Sequence, residues 1–313
     1  MPISAKIIAD SLNPHGSRLT TFVLEYPRFI HSELLTHKML SKNAASSRAI
    51  PIEKMIEQVM ENPAMPEWYG KNQSGMQAAE ELSDEYCDAT SYYQDLLTPK
   101  QRAKVYWLEA RDEAIKQVTR LNKLGLHKQI SNRILEPWFH IKVILSATEY
   151  ENFFALRAHK DAQPEIQKLA YLMLDEYNAS TPKSLKEGEW HIPFGDNIDE
   201  VRLRETFKQE FLGQDITMES QVQANKRKVA IARCARISFL NYEGKDDYAA
   251  DIKLCDRLFG SNPKHLSPTE HVAVATNDKN FYGNFCGFKQ FRKMFVEENL
   301  QDSRVIKKQY ILN

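Results

Sequence analysis

Between Leu19 and Arg48 the chain passes through three characters in turn, and that succession limits the folds open to it. Leu19-Thr20-Thr21-Phe22-Val23-Leu24-Glu25-Tyr26 is rich in β-branched and aromatic residues and is stopped by Pro27, the composition of a strand. Phe29, Ile30, Leu34, Leu35 and Met39 then recur at roughly helical spacing. From Thr36 to Arg48 the chain turns polar and small, with His37, Lys38, Ser41, Lys42, Asn43, Ser46, Ser47 and Arg48. Small residues allow backbone to approach a ligand, and hydroxyls and cations are the groups a phosphate or nucleotide needs. A solvated loop has the same composition, so this stretch gains meaning only from its company elsewhere in the chain.

The remaining elements read as a mixture of strands and helices. Ile3 to Ala9 suits a first strand, and Asn13-Pro14-His15-Gly16 a turn. Pro51 opens a helix at its first turn. Residues 62–76 read as a loop, and Gln77 to Leu124 as helical with a break at Thr98-Pro99 and Gly125 as its cap. Leu126 to Glu136 suits a helix stopped by Pro137, and Phe139 to Ser146 a strand. Thr148 can cap a helix beginning at Glu149, and Pro164 begins another that runs to about Tyr177. Trp190 to Phe194 is loop-like, and Asp246 to Phe259 reads as an amphipathic helix. Lys226-Arg227-Lys228 reads as a helix face rather than a nucleic-acid site. His265 to His271 is a polar turn leading to a strand over Val272 to Ala275.

Composition narrows the function. Lys+Arg and Asp+Glu both number 42, a balance that argues against a protein that coats nucleic acid. No apolar run approaches membrane-spanning length, and the N-terminus lacks the apolar core of a signal peptide. Cys87, Cys234, Cys255 and Cys286 are scattered without a C-x-x-C pair, so neither zinc nor a disulfide framework is expected. The expectation is a reduced, cytoplasmic, soluble protein.

Four blocks carry a resemblance to one family. The first is His37, Lys38, Ser41, Asn43, Ser46 and Arg48, and the second is Asn132-Arg133-Ile134-Leu135-Glu136-Pro137. The third joins Asn152-Phe153-Phe154-Ala155-Leu156-Arg157 to Ala162-Gln163-Pro164-Glu165-Ile166. The fourth pairs Ala232 to Phe239 with His265-Leu266-Ser267-Pro268-Thr269-Glu270-His271. In these blocks the chain resembles the flavin-dependent thymidylate synthases. Their usual order puts the fourth block first, so the resemblance is to a longer, circularly permuted branch. Permutation is cheap when the original termini lie close together at the surface.

The resemblance implies an α+β fold with a mixed or antiparallel sheet flanked by long helices. It implies a single domain over 1–313, with helical insertions at about 62–124 and 178–225. The implied reaction converts dUMP to dTMP, with methylenetetrahydrofolate as carbon donor, FAD as hydride carrier and NADPH as reductant. The implied partners are small molecules, without nucleic acid or membrane, and the implied assembly is a homotetramer with active sites between subunits. Arg157 matches the catalytic arginine beside the uracil. Ser46, Ser47, Arg48 and Arg133, with Arg157, match dUMP-binding positions, Glu33 stands where the family usually has a nucleotide-contacting glutamine, and no metal is implied. His37, Lys38, Ser146, Asn152, His265 and Ser267 match FAD-binding positions. Thr36 stands where the family has an arginine, Ala44 where an acid is common, and Lys38 lacks the planar fork of arginine. Gln290, Arg292 and Lys293 are candidates to compensate. These departures keep two rivals open, a pyrimidine-nucleotide hydroxymethylase and a non-catalytic flavin- or nucleotide-binding relative.

Overall fold

The structure, a computed structural model, describes residues 3–85, 97–207, 218–241 and 243–298. Its centre is a five-stranded sheet built from β1 (Ser4–Leu12), β2 (Arg18–Pro27), β3 (Ser41–Ala44), β4 (His140–Ala147) and β5 (Lys183–Ser184). The order is β3-β4-β2-β1-β5. The first four strands pair antiparallel and β5 joins β1 parallel, so the sheet is mixed. A second, three-stranded sheet joins β6 (Trp190–His191), β7 (Ala273–Ala275) and β10 (Phe288–Gln290), and β8 (Phe281–Tyr282) pairs with β9 (Phe285–Cys286).

Strand alternation gives the central sheet two faces. Phe22, Leu24, Tyr26, Val143 and Leu145 point into the main core. There they meet Met55 and Val59 of α2 (Ile52–Glu61), and Ile166, Leu169 and Met173 of α6 (Pro164–Ala179). The opposite face presents Val23 and Ile144 to Phe194, Cys234 and Ile237. The long α3 (Pro99–Lys123) docks through Val118 and Trp107, whose indole donates to the Ala64 carbonyl at 2.9 Å. The expected α+β architecture with flanking helices is therefore present.

Several boundaries differ from the sequence expectation. The helix leading to the polar stretch is only a 3-10 turn over Arg28–Ile30 followed by α1 (His31–Leu35). Thr36 Oγ1 donates to the Glu33 carbonyl at 2.6 Å, a local bond of the kind that competes with helix continuation. Ser41–Ala44, expected as loop, is a strand because β4 offers it a free edge. Residues 77–85 are not helical: Glu81 bridges Gly70, with Lys71 N donating to Glu80 O and Leu82 N to Tyr69 O, both at 2.7 Å. The rest of that expected helix before Leu97 lies outside the described residues. The second half is correct, since Thr98 forms a capping box with Gln101 and Gly125 turns at φ +80°.

Pro137 does not stop a helix. After the short α4 (Lys128–Ser131) it sits inside a 3-10 stretch, Asn132–Trp138, whose φ a proline satisfies. Thr148 does not cap α5 (Glu151–Arg157), which starts after Tyr150; its hydroxyl instead accepts from Cys286 N at 2.9 Å. Between β6 and β7 the described α-helices are α7 (Glu200–Thr206), α8 (Met218–Arg236) and α9 (Tyr248–Gly260). Part of the expected insertion between residues 178 and 225 lies outside the described residues.

α8 and α9 are joined by buried charge. Arg233 is fully buried, donating to Asp251 at 3.3 Å and Asp246 at 2.6 Å, and Arg236 also pairs with Asp251. Burial pushes the Asp251 carboxyl above its ordinary range, against the pull of the two arginines. Removing one member of such a cluster strands the others without water. Arg233→Met is expected to lower stability by about 3–5 kcal/mol in urea melts. A loss under about 1 kcal/mol would show that the cluster relaxes or hydrates freely.

Candidate active site

The turn after α1 brings His37 under α5. Arg157, the last residue of α5, donates through Nε to His37 Nε2 at 3.0 Å and through Nη2 to Thr36 Oγ1 at 3.4 Å. Phe153, one turn back on the same helix, meets the His37 ring edge-on with centroids 5.0 Å apart. His37 is buried, and burial plus the charges of Arg157 and Lys42 lower its pKa to about 4. It therefore accepts the arginine bond as a neutral imidazole at physiological pH. Arg157 Nη1 has no hydrogen bond among the described residues, so this guanidinium keeps donors for a ligand.

Lys42 lies beneath the same turn, with Nζ donating to the carbonyls of Leu34 (3.3 Å) and His37. Burial and the neighbouring Lys38 lower its pKa to about 8. Lys38 itself is exposed and donates to the Leu35 carbonyl at 3.1 Å.

Three cavities meet around this turn. One, of about 440 Å³, is lined by Thr36, His37, Lys38, Asn152, Phe153 and Arg157 among others. A second, of about 960 Å³, shares Arg157 and adds Glu33, Trp68, Gln77, Lys160 and Gln163. A third, of about 570 Å³, shares Lys38 with the first and is lined by Lys42, Glu270, Gln290, Arg292 and Lys293. The C-terminal part of the described chain thus packs on the first polar stretch. Asn284 donates to Met39 O at 2.9 Å, and Gln290 to Ser41 Oγ at 3.1 Å. Arg292 is held by Glu270 and Glu298.

The other half of the polar stretch stands at the far end of β3. Ser47 Oγ donates to Glu136 Oε1 at 2.7 Å, and Arg133 donates to the same oxygen at 3.0 Å. Arg28 approaches the second Glu136 oxygen at 3.7 Å. Arg48 Nε reaches Ser46 Oγ at 3.4 Å. Asn132 fixes the loop by donating to the Ser47 and Ile50 carbonyls at 2.8 and 3.0 Å. The structure therefore gathers Glu33, His37, Lys38, Asn152 and Arg157 in one place and Ser46, Ser47, Arg48 and Arg133 in another.

A family model described as thymidylate synthase complementing protein matches residues 17–183, over half of the chain. The chain belongs to this family. Comparison with curated proteins returned no match. The matched span holds both halves of the polar stretch, Arg133, Asn152 and Arg157, and the family is flavin-dependent. No described helix is long and apolar enough to cross a membrane.

Three family-matched positions sit differently from the rest. His265 and Ser267 are exposed around the 3-10 turn Ser267–His271. Ser146 is fully buried on β4, where its hydroxyl meets Thr21 Oγ1 at 2.6 Å and His271 Nδ1 at 2.8 Å. Thr21 in turn meets His191 Nε2 at 2.8 Å, and His191 Nδ1 meets Ser11 Oγ at 2.9 Å. With both neighbours taken, the Ser146 hydroxyl in this chain is a core group rather than one offered to a cavity. Among the described residues no three or more His, Cys, Asp or Glu side chains gather as a metal site would need.

Sequence reasoning left three site residues unassigned. Lys42 carries no family-motif signal, and only the fold shows its charge under the His37 turn. Glu136 was legible as part of the Asn132–Pro137 block, but its ties to Ser47 and Arg133 needed the tertiary structure. Trp68 sits in residues 62–76, whose composition favours a surface loop although an aromatic beside polar amides also suits a pocket lining.

Proposed function

We propose that this protein methylates dUMP to dTMP, taking the carbon from methylenetetrahydrofolate, with FAD as hydride carrier and NADPH as reductant. The observation that carries this reading is the position of Arg157 between two adjoining cavities, oriented by His37 and Thr36 with one guanidinium nitrogen unused among the described residues.

Methylation at C5 needs a uracil ring rich in electrons. A fixed guanidinium at the N3 and carbonyl edge stabilises the negative charge that builds there. His37, neutral and buried, holds Arg157 without competing for that charge. On this reading Glu33 and Arg157 face the nucleotide, and His37, Lys38 and Asn152 face the flavin.

Residues fitting FAD are present. The smaller cavity, walled by Phe153 and Asn152, suits a flat ring, and the cations Lys38, Lys42, Arg292 and Lys293 surround its neighbour, where a diphosphate would find charge. FAD supplies hydride transfer when bound; the chain supplies position and electrostatics. His265 and Ser267 would contact the same cofactor from their exposed turn.

Ser46, Ser47, Arg48 and Arg133 form a phosphate-binding group at the other end of β3. In a homotetramer with sites between subunits, this group from one copy would complete the cavity of another. A single domain with insertions, and a circular permutation of the family order, account for the arrangement of the four blocks.

The purified protein is expected to carry a yellow flavin whose spectrum shifts when dUMP is added. Incubation with dUMP, methylenetetrahydrofolate and NADPH should yield the methylated nucleotide by mass spectrometry. A hydroxymethylated product would replace this reading with its nearest rival, and a colourless protein that takes up no flavin would refute it.

A further inference from the structure

The cavity of about 960 Å³ beside Arg157 has one wall that the family blocks do not supply. That wall is the segment Glu67–Ala79, which belongs to neither the first nor the third block. It is fixed at defined points to the third block and to residues beside it. The backbone N of Glu67 donates to the buried carboxylate of Glu165 at 2.8 Å, and the Glu67 carboxylate pairs with Lys168 at 2.7 Å. Gln77 donates to the Asp161 carbonyl. Inside the segment, Gly70 packs against Ala78 so closely that a Cβ on Gly70 would collide with it, and the same Cβ would lie 3.2 Å from the Trp68 ring. The segment is therefore an anchored wall, and among the described residues Trp68 is the one aromatic side chain on the cavity lining.

Arg157 commits Nε and Nη2 to His37 and Thr36, which line the smaller cavity and not the larger one, while Arg157 itself lines both. A planar, partly apolar base in a polar cavity needs a flat apolar surface as well as an edge partner, and an indole supplies it. We infer that Glu67–Ala79 is the outer wall of the pyrimidine-nucleotide pocket, with Trp68 stacking on the base whose edge Arg157 holds. This rests on the proposed reaction for the identity of the nucleotide, and it adds a specificity-determining residue from outside the family blocks.

The test is a titration of the flavin-loaded protein with dUMP, followed by tryptophan emission and by calorimetry. Trp107 and Trp138 pack against each other in the core, and Trp190 lies between Phe291 and Arg227, so Trp68 is the tryptophan placed to respond. dUMP is expected to quench emission in the unmodified protein. Trp68→Phe should abolish that quench while holding affinity within about threefold, because a ring remains. Trp68→Ala should weaken dUMP binding about tenfold, with flavin content and melting temperature unchanged. Undiminished dUMP affinity in Trp68→Ala, or a quench caused by methylenetetrahydrofolate and not by dUMP, would overturn the inference. If Trp68→Ala binds dUMP normally while the unmodified protein makes dTMP, the wall is wrong and the reaction stands. If Trp68→Ala binds dUMP weakly while no dTMP forms, the wall stands and the reaction is wrong. Failure of the unmodified protein to bind dUMP overturns both.

Discussion

Replacing Arg157 by Ala is expected to lower kcat by roughly 10²–10³-fold or more, the scale seen when a positioned donor to developing negative charge is removed. The fold should survive. Arg157 is only half-buried at the end of a seven-residue helix, and its bonds go to side chains of one turn rather than to a buried carboxylate. The stability change should stay within about 1 kcal/mol. Arg157→Lys keeps the charge but loses the planar fork, so it should recover only part of the rate. A second readout checks the geometry without turnover. The charge of Arg157 helps hold the His37 pKa near 4, so in Arg157→Ala the His37 resonances should titrate at higher pH by NMR. Full activity in Arg157→Ala would remove this residue from the chemistry, and an unmoved His37 would deny their contact.

The second large effect is on stability in acid. His191 and His271 are fully buried, and burial lowers both pKa values to about 3; the proximity of the two histidines adds to the effect at His271. Asp10 pulls the other way on His191 without reversing it. The sign comes from proton counts. Unfolded, each imidazole takes a proton below its ordinary value of about 6.5. Folded, each stays neutral until about pH 3. Their contribution is therefore complete above about pH 6.5 and is lost progressively as pH falls toward the folded values. Two such groups raise the unfolding constant by about 100-fold per pH unit in that window. His37 and His31, both lowered to about 4, add to the slope over a shorter range. Urea midpoints measured between pH 7 and about pH 4.5 would track this loss. His271→Gln, which can still accept from or donate to Ser146, should remove about one proton from the slope. A midpoint independent of pH across this range, or an unchanged slope in His271→Gln, would mean that water reaches the Ser11–His191–Thr21–Ser146–His271 chain.

That chain also shows why fold and site were unequally legible. Strands β2 and β4 could be read from composition because each carries its own period of branched and aromatic residues and meets a stop or turn nearby. Expectation and structure parted where two segments compete locally. Thr36 ends α1 by bonding its own helix, which no apolar spacing reveals. Thr148 has the composition of a cap but serves Cys286, distant in sequence. The family resemblance puts Ser146 at a cofactor position, yet its hydroxyl is consumed by Thr21 and His271 from two other segments.

The sequence by itself showed a mixture of strand-like and helix-like segments and the four blocks that carry the family resemblance, and that resemblance implied the α+β class and marked Arg157, His37 and the Ser46–Arg48 group as candidate chemical residues. These are properties of single segments, where period, turn chemistry and motif act within a few residues. Only the tertiary structure decided that β3 separates the two halves of the polar stretch, that Arg157 stands between two cavities, and that a segment outside the motifs walls one of them. Those outcomes depend on which distant side chains share buried space, and such pairing is set by the packing of the whole chain rather than by any local run of residues.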